Sequence, residues 1–533
     1  MRRYYFLSVL FFMVFAPKLC FANNLAVANV SLTNRDTVNH YYDIQFDISW
    51  ANSWFISGAP GATANWDAAW VFVKYSTYSG GVWSDWKHCT LLNTGYSAPS
   101  GSQMSFGATS SVYKGAFIYR SSAGSGPVNW TGAKIRWNYG AELPAVSDSA
   151  TIKIKVFAVE MVLVPGYNAG QGWGGFNFYV GDGANRTGSG TNSHFFDAAD
   201  AADPRDPVLI TSTQPYISNV SDGTGLAGDI TWVNESTYAG NLPVARTQLN
   251  ASYPTGYNAF YIMKYEISQK QYADFLNTLT STQATTYRYP NKNGDSRHTI
   301  SGSWPNFSAS RPDRACNWLS WPDQCAYADW AALRPFTELE FEKACRGGQT
   351  AVAKEYAWGN NPPTIVADAS LTILGAEDGT ETISTNVSLG ACLYGNNAFS
   401  GGDGGLGPLR CGIFATGAST RITSGGSYYG VMELSGSLWE RPVSVMDSQA
   451  GQTLSTFTGA HGDGGLSTNG NADTANWPGL SGGEVTGAGG GGFRGGNWYG
   501  VESSARTSDR NLAAFADAIR YSSVGGRCAR TSP

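Results

Sequence analysis

Leu333-Arg334-Pro335-Phe336-Thr337-Glu338-Leu339-Glu340-Phe341-Glu342-Lys343-Ala344 is the stretch around which the rest of the chain can be ordered. Thr337 followed three residues later by Glu340 is a capping box, in which the threonine hydroxyl accepts from the Glu340 amide while the glutamate reaches back. Gly347-Gly348 ends the helix that this box starts. Glu338, Glu340 and Glu342 sit at spacing two and project from different helix faces, unlike a paired acid–base device. Upstream, Tyr272, Phe275, Leu276 and Leu279 fall at i, i+3, i+4, i+7 behind Ser268 and predict an amphipathic helix over 269–279. Ser320 with Pro322 in the first turn opens a further helix to about Leu333.

No other convincing helix occurs, and the N-terminal part reads differently. Tyr42 to Ile48, Trp70 to Tyr75, Gly115 to Tyr119, Lys134 to Trp137 and Thr151 to Val156 alternate polar and apolar residues between Gly, Ser and Asn punctuation. That pattern predicts antiparallel strands with one face buried, hence a sandwich of roughly seven strands. The fold class is therefore mainly β with few helices (α+β). A β-sandwich-like domain spans 23–157, and a second domain, loop-dominated after Gly348, spans 158–533. The glycine-dense segments 401–407 and 482–496 do not sit between a strand and an amphipathic helix, so they read as surface loops and not as phosphate cradles.

The 533 residues allow three or four domains at about 150 residues each, or two with large insertions. Charged residues make up 14% against a usual value of about 25%, while 65 glycines exceed the usual share of about 7%. The absence of a Gly-X-Y period excludes collagen, and 13% aromatics exclude a disordered polyelectrolyte. A formal charge of −5 gives no grip on phosphates, so nucleic acid is not an expected partner.

Arg2-Arg3, the apolar stretch Tyr4 to Ala16 and Cys20-Phe21-Ala22 follow the order of a secretory signal, read as residues 1–22. The protein is thus expected to be exported, to the periplasm, the cell surface or the medium. No run reaches the roughly 20 apolar residues of a transmembrane helix. Seven cysteines remain: Cys89, Cys316, Cys325, Cys345, Cys392, Cys411 and Cys528. Five lie between 316 and 411, where one or two disulfides would staple long loops. No Cys-x-x-Cys occurs and the five histidines are scattered, which gives zinc and iron sites no support.

Five blocks, taken in order, carry a resemblance. They are Glu160-Met161-Val162-Leu163-Val164-Pro165 leading to Phe178-Tyr179-Val180-Gly181; Tyr265-Glu266-Ile267-Ser268 into Tyr272 and Phe275; Leu333 to Ala344; Gly430 to Glu440; and Phe493-Arg494-Gly495-Gly496-Asn497-Trp498, closing with Gly525-Gly526-Arg527-Cys528-Ala529-Arg530. From about residue 158 the chain resembles the sulfatase-modifying-factor domain, the C-type-lectin-like fold of the formylglycine-generating enzyme. The resemblance implies few helices, many irregular strands, and arginines such as Arg494, Arg506, Arg510 and Arg527 holding irregular backbone. Glu440 corresponds to a calcium-ligating carboxylate of the family, with Ser437 in place of the usual Asn. Catalytic relatives hold copper on two closely spaced cysteines after the Arg-Gly-Gly block, whereas this chain has no cysteine between Cys411 and Cys528. Copper and formylglycine generation are therefore disfavoured.

The arrangement also resembles target proteins of diversity-generating retroelements, whose C-terminal segment is varied through Asn codons. Those substitutions cannot yield Glu, Lys, Met, Gln or Trp, and of these only Glu502 occurs in 499–523. The expected function is an exported ligand-binding or adhesion protein that takes a protein or glycan. Its surface residues would be Trp498, Tyr499, Glu502, Ser503, Thr507, Asp509, Asn511, Phe515 and Tyr521. The alternative is a metal-dependent oxidoreductase acting on a protein or peptide cysteine.

Overall fold

A computed structural model describes residues 24–58, 64–166, 177–182, 196–198, 207–219, 225–232, 238–361, 371–384, 387–396, 398–447 and 453–533. The leader read at 1–22 lies outside the described residues. No helix among them is long and apolar enough to cross a membrane.

Ten strands come first: β1 (Ala26–Asp36), β2 (Tyr41–Ile56), β3 (Asn65–Ser79), β4 (Val82–Trp83), β5 (Lys87–His88), β6 (Leu91–Ser97), β7 (Ser102–Thr109), β8 (Val112–Arg120), β9 (Gly124–Trp137) and β10 (Thr151–Val164). On β2 the period-two pattern works as expected, with Ile44, Phe46, Ile48 and Trp50 all turned into one core. Among the described residues these strands belong to one sheet and not to two stacked ones. The pairing runs β1-β2-β9-β6-β8-β3-β10, and β2 also pairs with β3 through Phe55–Trp66 and Ile56–Asn65. Thus β2, β9, β6, β8 and β3 close into a ring. Register shifts between β2 and β9 at Phe46/Ile48 and Trp50/Ser53 bend the long strands enough to close it.

Strand β3 departs most from its expected burial. Asn65 to Ser76 are all buried, so both of its faces are covered. Ala69, Val71, Val73 and Tyr75 point into the ring core, while Ala68, Trp70 and Phe72 join a second core built with residues from the C-terminal part. Trp70 is fully buried there, a burial that stabilises by about 1.5–3 kcal/mol, and its indole N–H donates to the Ala331 carbonyl at 2.8 Å.

The boundary read between residues 157 and 158 falls inside β10. This strand pairs with β3 from Thr151 to Val162, and its far end, Met161 to Val164, pairs with Phe260–Met263, which in turn pairs with Ala529–Thr531. The last strand of the chain therefore lies in the same sheet as the first.

Three helices appear where capping residues predict them: α1 (Gln269–Leu276), α2 (Trp321–Trp330) and α3 (Glu338–Arg346). Each starts with a complete capping box, Ser268 with Gln271, Ser320 with Asp323 and Thr337 with Glu340. Helix α1 stops three residues short of Leu279, and α3 ends on Gly347 at φ 67°. All ten residues of α2 are buried; it is a central helix. The expected disulfides are absent: all seven described cysteines are free and buried. Cys316, Cys325 and Cys528 lie in one core, while Cys345, Cys392 and Cys411 lie in three others, so they act as small apolar fillers.

Candidate functional site

Helix α3 presents three buried carboxylates to arginines, two of them from distant segments. Arg494 Nη1 donates to Glu338 at 3.0 Å and Nη2 to Glu342 at 2.6 Å. Arg510 donates to both oxygens of Glu338, at 3.1 and 3.0 Å. Arg334 grips Glu340 at 2.9 and 2.6 Å. Burial alone would raise the Glu338 carboxyl, but Arg510 and Arg494 outweigh it and hold it below its ordinary value. Glu338 and Glu342, four residues apart, thus serve one guanidinium, and the segment between Arg494 and Arg510 is pinned at both ends.

Arg527 pins the chain beyond that segment. It sits on Glu440 with Nε 2.9 Å from each oxygen, and its Nη1 and Nη2 reach the carbonyls of Met263 and Met432. Glu266 and Glu433 crowd the same guanidinium, and burial pushes all three carboxyls up, Glu433 to about 7. Glu266 is saturated by the Ser437 hydroxyl and the Leu438 amide, both at 2.9 Å. The carboxylate that resemblance offered to calcium is therefore engaged by Arg527, and a cation there would have to displace the guanidinium. Among the described residues, the one set of three carboxylates with oxygens within 4.8 Å of one another is Asp329, Asp463 and Asp473. Asp329 already accepts from the amides of Asp463 and Asp473 and from the Thr474 hydroxyl, so it ties a loop to the end of α2.

Between these pins runs the segment singled out for recognition. Trp498 is an anchor and not a surface residue: it is 4% exposed, its amide donates to the Ser437 carbonyl at 2.7 Å and its indole to the Ser522 carbonyl at 3.1 Å. The indole bond brings the two ends of the segment together. Tyr499, the next residue, is 60% exposed. Val501 and Glu502 are exposed, and Ser503 is half-buried on the short turn Glu502–Ala505.

Thr507 and Asp509 are also corrections, because both are buried. The Thr507 amide donates to the Glu355 carbonyl at 2.9 Å, and its own carbonyl accepts from the Arg494 guanidinium at 2.8 Å. Asp509 is desolvated until its carboxyl rises to about 7. Asn511, Phe515 and Tyr521 are half-buried. Phe515 packs edge-on against Tyr238 at 4.6 Å, and the Tyr521 hydroxyl donates to Asp517. Two exposed residues were missed: Val501 at 65% and Ile519 at 60%. Being apolar, they carry no sequence signal for exposure. The solvent-facing set is thus Tyr499, Val501, Glu502 and Ile519, edged by Ser503, Asn511 and Tyr521.

The donor set does not fit the paired-thiolate copper site of catalytic relatives. The segment 497–527 contains no sulfur, and burial pushes every one of the seven thiols up, away from the thiolate form.

The family model described as sulfatase-modifying factor enzyme 1-like domain matches residues 227–532. No curated protein matches the chain.

Proposed function

Since the chain belongs to the sulfatase-modifying factor enzyme 1-like family, we propose that it is an exported recognition protein on that scaffold, binding a protein or glycan ligand through residues 499–521. The observation that carries this reading is the step from buried Trp498 to Tyr499, 60% exposed. A rigid anchor directly before an open aromatic ring pre-organises the contact surface, so little entropy is lost on binding. Arg494, Arg510 and Arg527 brace that surface from beneath through buried glutamates. The absence of sulfur from this segment supports recognition over copper-dependent oxidation. Its near-absence of residues that Asn-codon mutagenesis cannot produce supports a diversified surface.

The test is binding of the whole protein to arrays of immobilised proteins and glycans, repeated with Tyr499→Ala, Val501→Ser, Glu502→Ala and Ile519→Ser combined. A ligand captured by the parent should be lost by the variant, at a melting temperature changed by no more than about 3 °C. An anaerobic Cu(I) titration with stoichiometric uptake, together with turnover of a Cys-containing peptide, would overturn the reading.

A further inference from the structure

A second surface lies far from the C-terminal segment in sequence, on the sheet face shared by β3 and β10. In their register Lys74 faces Lys155, Ser76 faces Lys153 and Tyr78 faces Thr151. Deep in the molecule this face belongs to the core, where Phe72 packs. Past Ser76 it emerges into water. Tyr78 is 46% exposed and Trp83 42%, their rings 5.2 Å apart, and Trp86 is half-buried beside them.

Two ammonium groups are held over these indoles. Lys153 Nζ lies 4.3 Å from the Trp83 ring centre and 4.9 Å from that of Trp86, and Lys155 Nζ lies 4.9 Å from Trp86. Trp86 and its neighbour Lys87 also line a cavity of about 400 Å³, whose walls include Lys74, Lys114, Gln283 and Asp463. The strip of rings therefore runs into a pocket of ligand size. None of the five lysines forms an ion pair with a described carboxylate within 4 Å. Lys74 is buried, donates to the Gly464 carbonyl at 2.7 Å and faces Asp329, so it adds no cation to the surface; the other four lysines outnumber Asp85 and Asp463 on the cavity wall and Asp274 near Lys155. This local positive field stands on a chain of net charge −5.

We propose that this strip and its cavity bind an acidic polysaccharide, a sugar chain bearing carboxylate or sulfate groups. Aromatic rings that stay in water take the C–H faces of sugars, and ammonium groups fixed beside them take the anions. An extended chain suits a surface that continues from open rings into a pocket. The inference stands independently of the C-terminal recognition surface, with which it shares no residue.

The test uses the whole protein with polygalacturonate, dextran sulfate, neutral dextran and vesicles of phosphatidylcholine containing phosphatidylglycerol. The parent should bind at least one acidic polymer about tenfold more tightly than dextran, and added salt should weaken the binding. Combining Lys153→Gln with Lys155→Gln should weaken it by about tenfold or more, as should Trp83→Ala alone. Melting temperatures of both variants serve as the folding control, and two separate variants keep the test decisive if one is unstable. Failure to bind either acidic polymer would overturn the proposal. So would dextran binding as tight as that of the acidic polymers, variants binding like the parent, or lysine-dependent binding confined to the vesicles.

Discussion

Arg527 holds Glu440 through two of its nitrogens, with Nε 2.9 Å from both carboxylate oxygens and Nη2 2.6 Å from Oε1. Its remaining donors take the carbonyls of Met263 and Met432, so one guanidinium joins a strand, a loop and the chain terminus. Glu440→Gln would remove the one described carboxylate bonded to that buried charge, and the expected loss is about 3–5 kcal/mol in urea unfolding. Because the carboxylate is already engaged, adding calcium or EDTA should leave the parent's melting temperature unchanged. A calcium-induced rise that disappears in Glu440→Gln would show instead that a cation uses this carboxylate.

Glu338 is shared by Arg494 and Arg510, and all three side chains are fully buried. Glu338→Gln therefore strips Arg510 of its carboxylate and leaves Arg494 with Glu342 alone, and it should cost about 3–5 kcal/mol. Combining it with Arg510→Met should cost less than the sum of the single changes, with a coupling of about 0.5–3 kcal/mol. Strict additivity in denaturant titrations would mean that the network does not act as a unit.

The contrast between what the residues announced and what they concealed has a physical basis. The capping boxes of Ser268, Ser320 and Thr337 are made within four residues, so a local reading finds them. The second face of β3 is invisible locally, because Trp70 is covered by Ala331 at the end of α2 and by Arg530 far along the chain, and its alternation looks like that of a half-exposed strand. Arg494, Arg510 and Arg527 are legible as buried clamps, yet the glutamates that they clamp are not; Arg506 is buried, but its Nε and Nη1 have no hydrogen-bond partner among the described residues. Trp498, Thr507 and Asp509 have surface-compatible identities, and their burial is decided by Ser437, Glu355 and Arg494. The exposure of Val501 and Ile519 follows from chain path alone, which no residue type encodes.

The seven described thiols are free and buried, Cys316, Cys325 and Cys528 in one core and the other four each in a core of its own. The native protein should leave a thiol reagent such as DTNB unreacted, while the denatured protein should react at every one of them. Reducing agent should not change the melting temperature. A native-state disulfide detected by mass spectrometry after blocking free thiols would contradict this arrangement.

Asp509 sets a pH dependence whose sign follows from its shift. Burial raises its carboxyl from an ordinary value near 3.8 to about 7, against the opposing pull of the Asn511 amide, Arg494 and Arg506. The folded state thus holds this proton more tightly than the unfolded chain. Its contribution to stability is fully present below about pH 4 and is lost as pH rises through about 7, to a limit of roughly 4 kcal/mol. Asp509→Asn mimics the protonated form, so its stability relative to the parent should improve between pH 5 and pH 8. An equal difference at both pH values, measured by urea unfolding, would show that Asp509 is not desolvated.

Trp498 and Tyr499 are adjacent, with rings 5.7 Å apart and edge-on, yet they belong to different parts of the energy balance. Trp498 fills a core with Leu438, Met432 and Tyr265, so Trp498→Ala should cost about 3–5 kcal/mol through the cavity it opens. Tyr499 removes little surface from water, and Tyr499→Ala should stay within about 0.5 kcal/mol of the parent. On the ligand the order reverses. Tyr499→Ala should weaken binding at unchanged stability, while Trp498→Phe, which keeps a ring but loses the bond to the Ser522 carbonyl, should weaken it only by loosening the segment. Equal losses of stability from the two alanine changes, followed by thermal unfolding, would place Tyr499 in the core and remove the surface on which recognition depends.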